Sequence, residues 1–275
     1  MLRTNLSIVH VGDAAPQANV AVTNTAGGAL NDALLLSFAS ASSGLTGSSN
    51  LGPAGLGGGQ TNSAALTVAM NTGTAGSING NVNFSATSHD SELADLDLGT
   101  LSVGVTGQVN NFAKSAFTFG SGAGSFSQVG STYLLDFGAL AQGSGIFNSV
   151  LFAGNGALGP ADLLDGTYQF LDPFDFGESG FDPFLNLAAQ QLTGPLTLSF
   201  NTANLGSFSD TIVLHGLGHN ASNYSGAVGD ITLIVEGTVR SGGTVPEPGT
   251  LALLALALSL LLAARAHRPA GTLRR

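Results

Sequence analysis

Six carboxylates crowd into residues 162–182 of a chain otherwise poor in charge: Asp162, Asp165, Asp172, Asp175, Glu178 and Asp182. Within that stretch Asp172-Pro173-Phe174 recurs as Asp182-Pro183-Phe184. Hard oxygen ligands at this density could hold calcium, with Asp172, Asp175, Glu178 and Asp182 as the candidate ligands. The spacing does not follow an EF-hand loop, and the interleaved Phe residues fit equally an acidic loop that packs on the body while its carboxylates stay in water. His89 and His219 lie in polar segments, Ser88-His89-Asp90 and Gly218-His219-Asn220. A metal there would need ligands converging from elsewhere, and none has suitable spacing, so both read as turn residues. His215, in an apolar run, reads as a half-buried histidine with its hydrogen bonds satisfied. No cysteine is present to act as nucleophile or thiolate ligand. Gly120-Ser121-Gly122-Ala123-Gly124 lacks the nucleophile-elbow pattern and the strand-to-helix setting of a nucleotide loop. Glycosidase carboxylate pairs meet only in the fold. No active site is legible.

The elements that would position these groups read as strands. Leu66, Val68 and Met70 alternate with polar or small residues, as do Val82 and Phe84, and then Leu101, Val103 and Val105. Such period-two runs, bounded by Gly, Asn, Ser and Asp clusters, predict short antiparallel strands of a sandwich or barrel. The opening run Leu6, Ile8, His10, closed by Gly12-Asp13, has the pattern of a strand already under way. Residues 55–62 hold too much Gly for a strand interior and predict a loop. Within the body the only helix candidates are short, around 161–164 and 184–191.

Compared with itself at an offset of 130, the chain aligns in three blocks without a gap. Residues 66–72 (LTVAMNT) match 196–202 (LTLSFNT), Gly76-Ser77 matches Gly206-Ser207 with His89 on His219, and 101–109 match 231–239. Gly28-Ala29-Leu30 also recurs as Gly156-Ala157-Leu158. This predicts two homologous units, 5–109 and 110–241, each a domain in its own right because two copies are too few for a solenoid. Residues 242–275 then form a linker and tail.

Charge excludes one class of partner. The formal net charge is −10 overall, made of −13 before Val245 and +3 after it. An acidic body does not attract nucleic acid, since phosphate binding needs a basic face. With no disulfide available, stability must come from burial, and 43% hydrophobic residues with 16 Phe are enough for it. Residues 1–11 carry a charge at Arg3 and no apolar run of signal-peptide length, so an exported protein is expected to begin upstream of this Met1.

Residues 251–264 are Leu and Ala with one Ser, closed by Arg265, and Leu and Ala are strong helix formers. The 16 uncharged residues from Gly249 would extend about 24 Å, short against a hydrocarbon core of roughly 30 Å. The segment is apolar on every face and last in the chain, so lipid is its expected partner, contacted along Leu251, Leu254, Leu258 and Leu262. Arg265 and Arg268 would stay cytoplasmic, leaving the acidic body outside. Upstream, Val245-Pro246-Glu247-Pro248 is held extended, because each Pro disfavours helix at itself and at the residue before it.

In that order, a Pro-Glu-Pro tripeptide, a short apolar helix and an arginine cluster at the C-terminus, the tail resembles the PEP-CTERM family of sorting signals. The resemblance implies recognition by an exosortase-type membrane protease, cleavage near the tripeptide, and passage through the inner membrane to the cell surface or extracellular matrix. Members of the family are associated with exopolysaccharide and biofilm. In the body, His10-Val11-Gly12-Asp13 followed by residues 20–25 (VAVTNT) and 66–68 (LTV) resembles choice-of-anchor D repeats, immunoglobulin-like sandwiches of the ASPM-SPD-2-Hydin type. The expected fold class is all-β, two tandem immunoglobulin-like sandwiches followed by one hydrophobic helix. The leading functional expectation is a non-catalytic structural protein of the surface or matrix without a cofactor. An adhesin or polysaccharide-binding module, calcium-dependent through the acidic loop, is the alternative, and a hydrolase with an unrecognised site the third. Absence of Trp and the presence of only Tyr133, Tyr168 and Tyr224 count against glycan binding.

Overall fold

The computed structural model describes residues 2–27, 31–171, 175–242 and 256–259, and its body is all-β. The first unit opens with β1 (Leu2–His10), β2 (Gln17–Thr23), β3 (Ala33–Ala41) and β4 (Leu45–Ser49), and closes with β5 (Thr61–Met70), β6 (Gly76–His89) and β7 (Leu96–Asn110). They form two sheets, in the orders β1-β7-β6-β3 and β2-β5-β4. Alternation decides which residues lie between the sheets: Leu66, Val68 and Met70 of β5 and Val82 and Phe84 of β6 have no solvent exposure. Burial of each such side chain contributes about 1.5–3 kcal/mol.

The second unit runs through β8 (Ser115–Gly122), β9 (Ser125–Val129), β10 (Thr132–Ala141), β11 (Ile146–Asn155), β12 (Leu163–Phe170) and β13 (Gly177–Ser179). It continues with β14 (Phe184–Leu187), β15 (Leu196–Asn201), β16 (Gly206–His219), β17 (Ser225–Ala227) and β18 (Ile231–Arg240). One sheet has the order β14-β12-β16-β18-β10-β9 with β17 on β16, and the other β13-β15-β11-β8. A separate core, richer in aromatics, gathers Phe117, Tyr133, Phe137, Phe176 and Phe200 around Leu214 and Val235.

The two units share hydrogen bonds that recur at offsets of 130 and 131. β1 lies parallel to β7 and β10 parallel to β18, each with a register break, at Asn5/Ile8 and Asp136/Ala139. In each break a side-chain oxygen, of Asn5 or Asp136, accepts the N–H of the second residue on, Ser7 or Gly138. Both of these residues adopt positive φ, 64° and 72°. A buried asparagine also recurs. Asn24 Nδ2 donates to the carbonyls of Asp32 and Leu56, and Asn155 Nδ2 to those of Asp162 and Leu187. Each thereby ties the end of one strand to the loop that crosses below it.

Two expectations change. In the first unit β1 pairs parallel with β7 and in the second β10 pairs parallel with β18, whereas antiparallel strands were expected. The segments 161–164 and 184–191 are not helical: β12 begins at Leu163 and pairs with β16, and β14 pairs with β12. Apolar stretches this short cannot nucleate a helix against available sheet pairing, and positive φ at Asn186 and Gln190 interrupts any helical run. For the C-terminal helix, only residues 256–259 are described, and they are helical. Among the described residues no helix is long and apolar enough to cross a membrane. Leu258 lies in that turn, exposed, while Leu251, Leu254, Leu262, Arg265 and Arg268 lie outside the described residues.

Candidate functional site

Of the candidate calcium ligands, Asp172 lies outside the described residues. Asp175, Glu178 and Asp182 are all exposed. Glu178 sits on the short strand β13, which pairs with β15, and the backbone N–H of Asp175 donates to Asp210 Oδ2 at 2.5 Å. The phenylalanines between the acids pack inward: Phe176 belongs to the second core, and Phe181 and Phe184 lie against it. Among the described residues no three His, Asp or Glu side chains converge in a way that would hold a metal ion. The sorting residues Val245, Pro246, Glu247 and Pro248 lie outside the described residues.

The histidines are engaged. His89 ends β6 with Nδ1 2.7 Å from Asp95, and His219 ends β16 with Nε2 3.2 Å from Asp165. His215 meets Gln169 at 3.0 Å through Nε2 and Asp230 at 2.9 Å through Nδ1, so it is satisfied on both nitrogens. Its side chain is 41% exposed, being on the solvent face of β16.

Asp162, counted in the sequence among the solvated acids, is fully buried where the two units meet. Three donors reach it from far along the chain. His10 Nε2–H, from the end of β1, donates to Oδ2 at 2.7 Å. Asn110 Nδ2, from the end of β7, and Asn220 Nδ2, just past β16, both donate to Oδ1, at 2.8 and 2.9 Å. The backbone N–H of Asp162 donates to the carbonyl of Asn111, the first residue after β7. A carboxylate taken out of water needs such a set, because each lone pair left unpaired in a low dielectric costs as a lost charge-assisted bond.

Above that network the His10 ring is stacked on Phe112, with centroids 4.0 Å apart and planes 13° apart, and meets Tyr224 edge-on at 4.3 Å. Burial, with the carboxylates of Asp162 and Asp13 nearby, raises the Tyr224 phenol above its ordinary pKa. Ser222 Oγ accepts the backbone N–H of Ile8 at 2.9 Å, a further bond between the units. The arrangement is a fixed joint: its hydrogen bonds are directional and its rings interlock, and it presents no nucleophile beside a base.

Beside the joint, the second unit carries a cleft of ≈ 610 Å³ between the segment 112–115, the β9–β10 hairpin and the stretch 227–231.

Residues 244–268 match the PEP-CTERM protein-sorting motif. A chain carrying this PEP-CTERM motif is exported, processed by an exosortase, and sorted to the envelope or surface. By sequence the chain matches no curated protein. Solved structures with a similar course include the adhesive subunit CfaE of the CFA/I fimbria of enterotoxigenic Escherichia coli. A mutant of that adhesin aligns over 88% of this chain and 99% of its own at 10% identity and a TM-score of 0.44. Another structure of it gives 86%, 98%, 10% and 0.43. The human desmocollin-1 ectodomain aligns over 88% of this chain and 41% of its own, at 7% identity and a TM-score of 0.37. At such TM-scores the likeness carries nothing about function.

His10, Asn110 and Asn220 did not stand out in the sequence as partners of Asp162. One signal was present: Asp32 directly precedes β3 and Asp162 directly precedes β12, at an offset of 130.

Proposed function

We propose that this chain is a non-catalytic structural protein of the cell surface or extracellular matrix. Its body is a rigid pair of immunoglobulin-like sandwiches, 5–109 and 110–241, related by duplication and delivered by the sorting tail 242–275. The observation that carries this reading is the PEP-CTERM motif at 244–268. In the tail, Pro246-Glu247-Pro248 is the segment presented to the exosortase, the Leu-rich helix holds the protein in the inner membrane until cleavage, and Arg265 and Arg268 remain on the cytoplasmic side. Duplication is supported by the asparagine knots at Asn24 and Asn155 and by the paired bulges. Rigidity is supported by the buried hub at Asp162, which spans 152 residues to His10. A spacer that holds two sandwiches at a fixed angle needs such a hub, whereas beads on a flexible linker do not.

The test is the intact mass of the protein recovered from the envelope and the medium of its native host. The expected mass lacks the residues beyond the Pro246-Glu247-Pro248 segment. Recovery of a full-length C-terminus held in the inner membrane would reduce the tail to an anchor and remove the exosortase step.

A further inference from the structure

We propose that the cleft beside the joint binds a neutral glycan. Its walls combine two kinds of surface in one place. Phe112 and Tyr224 stand at the end nearest the joint, with Phe112 still 48% exposed although one face is stacked on His10. Tyr133 and Ile231 form the inner wall, so two of the three tyrosines of the chain are gathered here. Among these apolar groups stand Lys114, Gln128 and Asp230, all with solvent-exposed side chains. Lys114 is the only lysine in the sequence.

This mixture selects the ligand class. An alkyl chain would cover the aromatics but strip water from Gln128, Lys114 and Asp230 with nothing in exchange. A sugar ring presents an apolar face to an aromatic side chain and a rim of hydroxyls to amide, ammonium and carboxylate groups. Such rings stay amphipathic along a chain, and the cleft volume lies within the roughly 300–1,000 Å³ of small-ligand sites. Charge then separates neutral from acidic glycans. The cleft is lined by one cation, Lys114, and one carboxylate, Asp230, which also meets His215 Nδ1 at 2.9 Å, while the body as a whole is strongly acidic and repels a polyanion. Open space is available too, since a Cβ placed on Gly229 would meet no atom within 4 Å.

The proposal rests on the surface-protein reading only for where a glycan would be met, and its test reads binding instead of processing, so either can fail alone. The full chain, kept in a detergent without a sugar headgroup, is titrated calorimetrically with cellotetraose, maltotetraose and laminaritetraose, and with tetragalacturonate as the acidic counterpart. At least one neutral tetrasaccharide is expected to bind. Gly229→Phe, which fills the cleft from an open position, and Gln128→Ala at its rim are each expected to weaken that binding by about tenfold or more, a loss of roughly 1.4 kcal/mol, with the melting temperature unchanged. Failure of all three neutral sugars to bind would overturn the proposal. So would binding that Gly229→Phe and Gln128→Ala leave intact, or tighter binding of tetragalacturonate.

Discussion

Asp162 is a side chain on which residues from both units converge. Its carboxylate, without solvent exposure, takes bonds from His10, Asn110 and Asn220. Truncation therefore does more than delete a favourable contact, because it strands the buried donors of His10 and Asn110. Asp162→Ala is expected to destabilise the protein by about 3–5 kcal/mol, the range for breaking a buried charge network by removing one partner, measured by denaturant unfolding. A loss below about 1 kcal/mol would mean that water enters the joint freely. Solution scattering on the same variant should show a broader distribution of inter-unit distances than the unsubstituted protein. Composition could not reveal this role, since Asp162 sits in the same acidic stretch as Asp175, Glu178 and Asp182, which are exposed.

Among the elements, the recurring asparagines matter more than any one strand. In the second unit Asn155 Nδ2 reaches two carbonyls, and its Oδ1 accepts the N–H groups of Lys114 and Ala157. It thus fastens the end of β11 to the residue before β8, to the loop before β12 and to the end of β14. Asn155→Ala would leave buried backbone groups unpaired, at about 1–3 kcal/mol for each that water cannot reach, so a total near 3 kcal/mol is expected from urea unfolding. Asn24→Ala in the first unit should cost less, because Asn24 is nearer the surface, 8% against 1% exposed. The bulges give a complementary case. Gly138 has φ 72° with open space around a Cβ, so Gly138→Ala is expected to cost about 1–2 kcal/mol from backbone conformation alone. Ser7 already carries that strain at φ 64°, and Ser7→Gly should relieve part of it, read as a rise in melting temperature.

Over the whole molecule, stability should fail on the alkaline side through the tyrosines. Burial raises the phenol pKa of Tyr168 and, less strongly, of Tyr133, and it does the same at Tyr224 with help from Asp162 and Asp13. A phenol whose folded pKa lies above its unfolded value stabilises the fold while neutral in both states. That contribution is present below the unfolded value of about 10 and is lost as pH rises above it toward the folded value. Phenolate absorbance is expected to appear only above pH ~10 and together with loss of strand circular dichroism. A phenolate signal at lower pH with the fold intact would show that the aromatic cores admit water.

Much of this was legible residue by residue. The faces of β5 and β6 follow from alternation at Leu66, Val68, Met70, Val82 and Phe84, because a strand sends successive side chains to opposite sides whatever its partners. The sorting motif was equally legible, being contiguous in the chain. Segments such as 184–191 were not, because their apolar spacing suits a helical turn while sheet partners supplied from Leu164 and Gly166 decide otherwise. The repeat was visible where the offset held at 130 and hidden around Asn24 and Asn155, where single-residue slips move it to 131. The sequence by itself determined the local properties of this protein: its strand faces, its acidic body and its export tail. Only the tertiary structure decided which acid is buried, which histidine it meets and which aromatics share a cleft. Those contacts join residues 52 to 152 positions apart, and no spacing rule survives that much intervening chain.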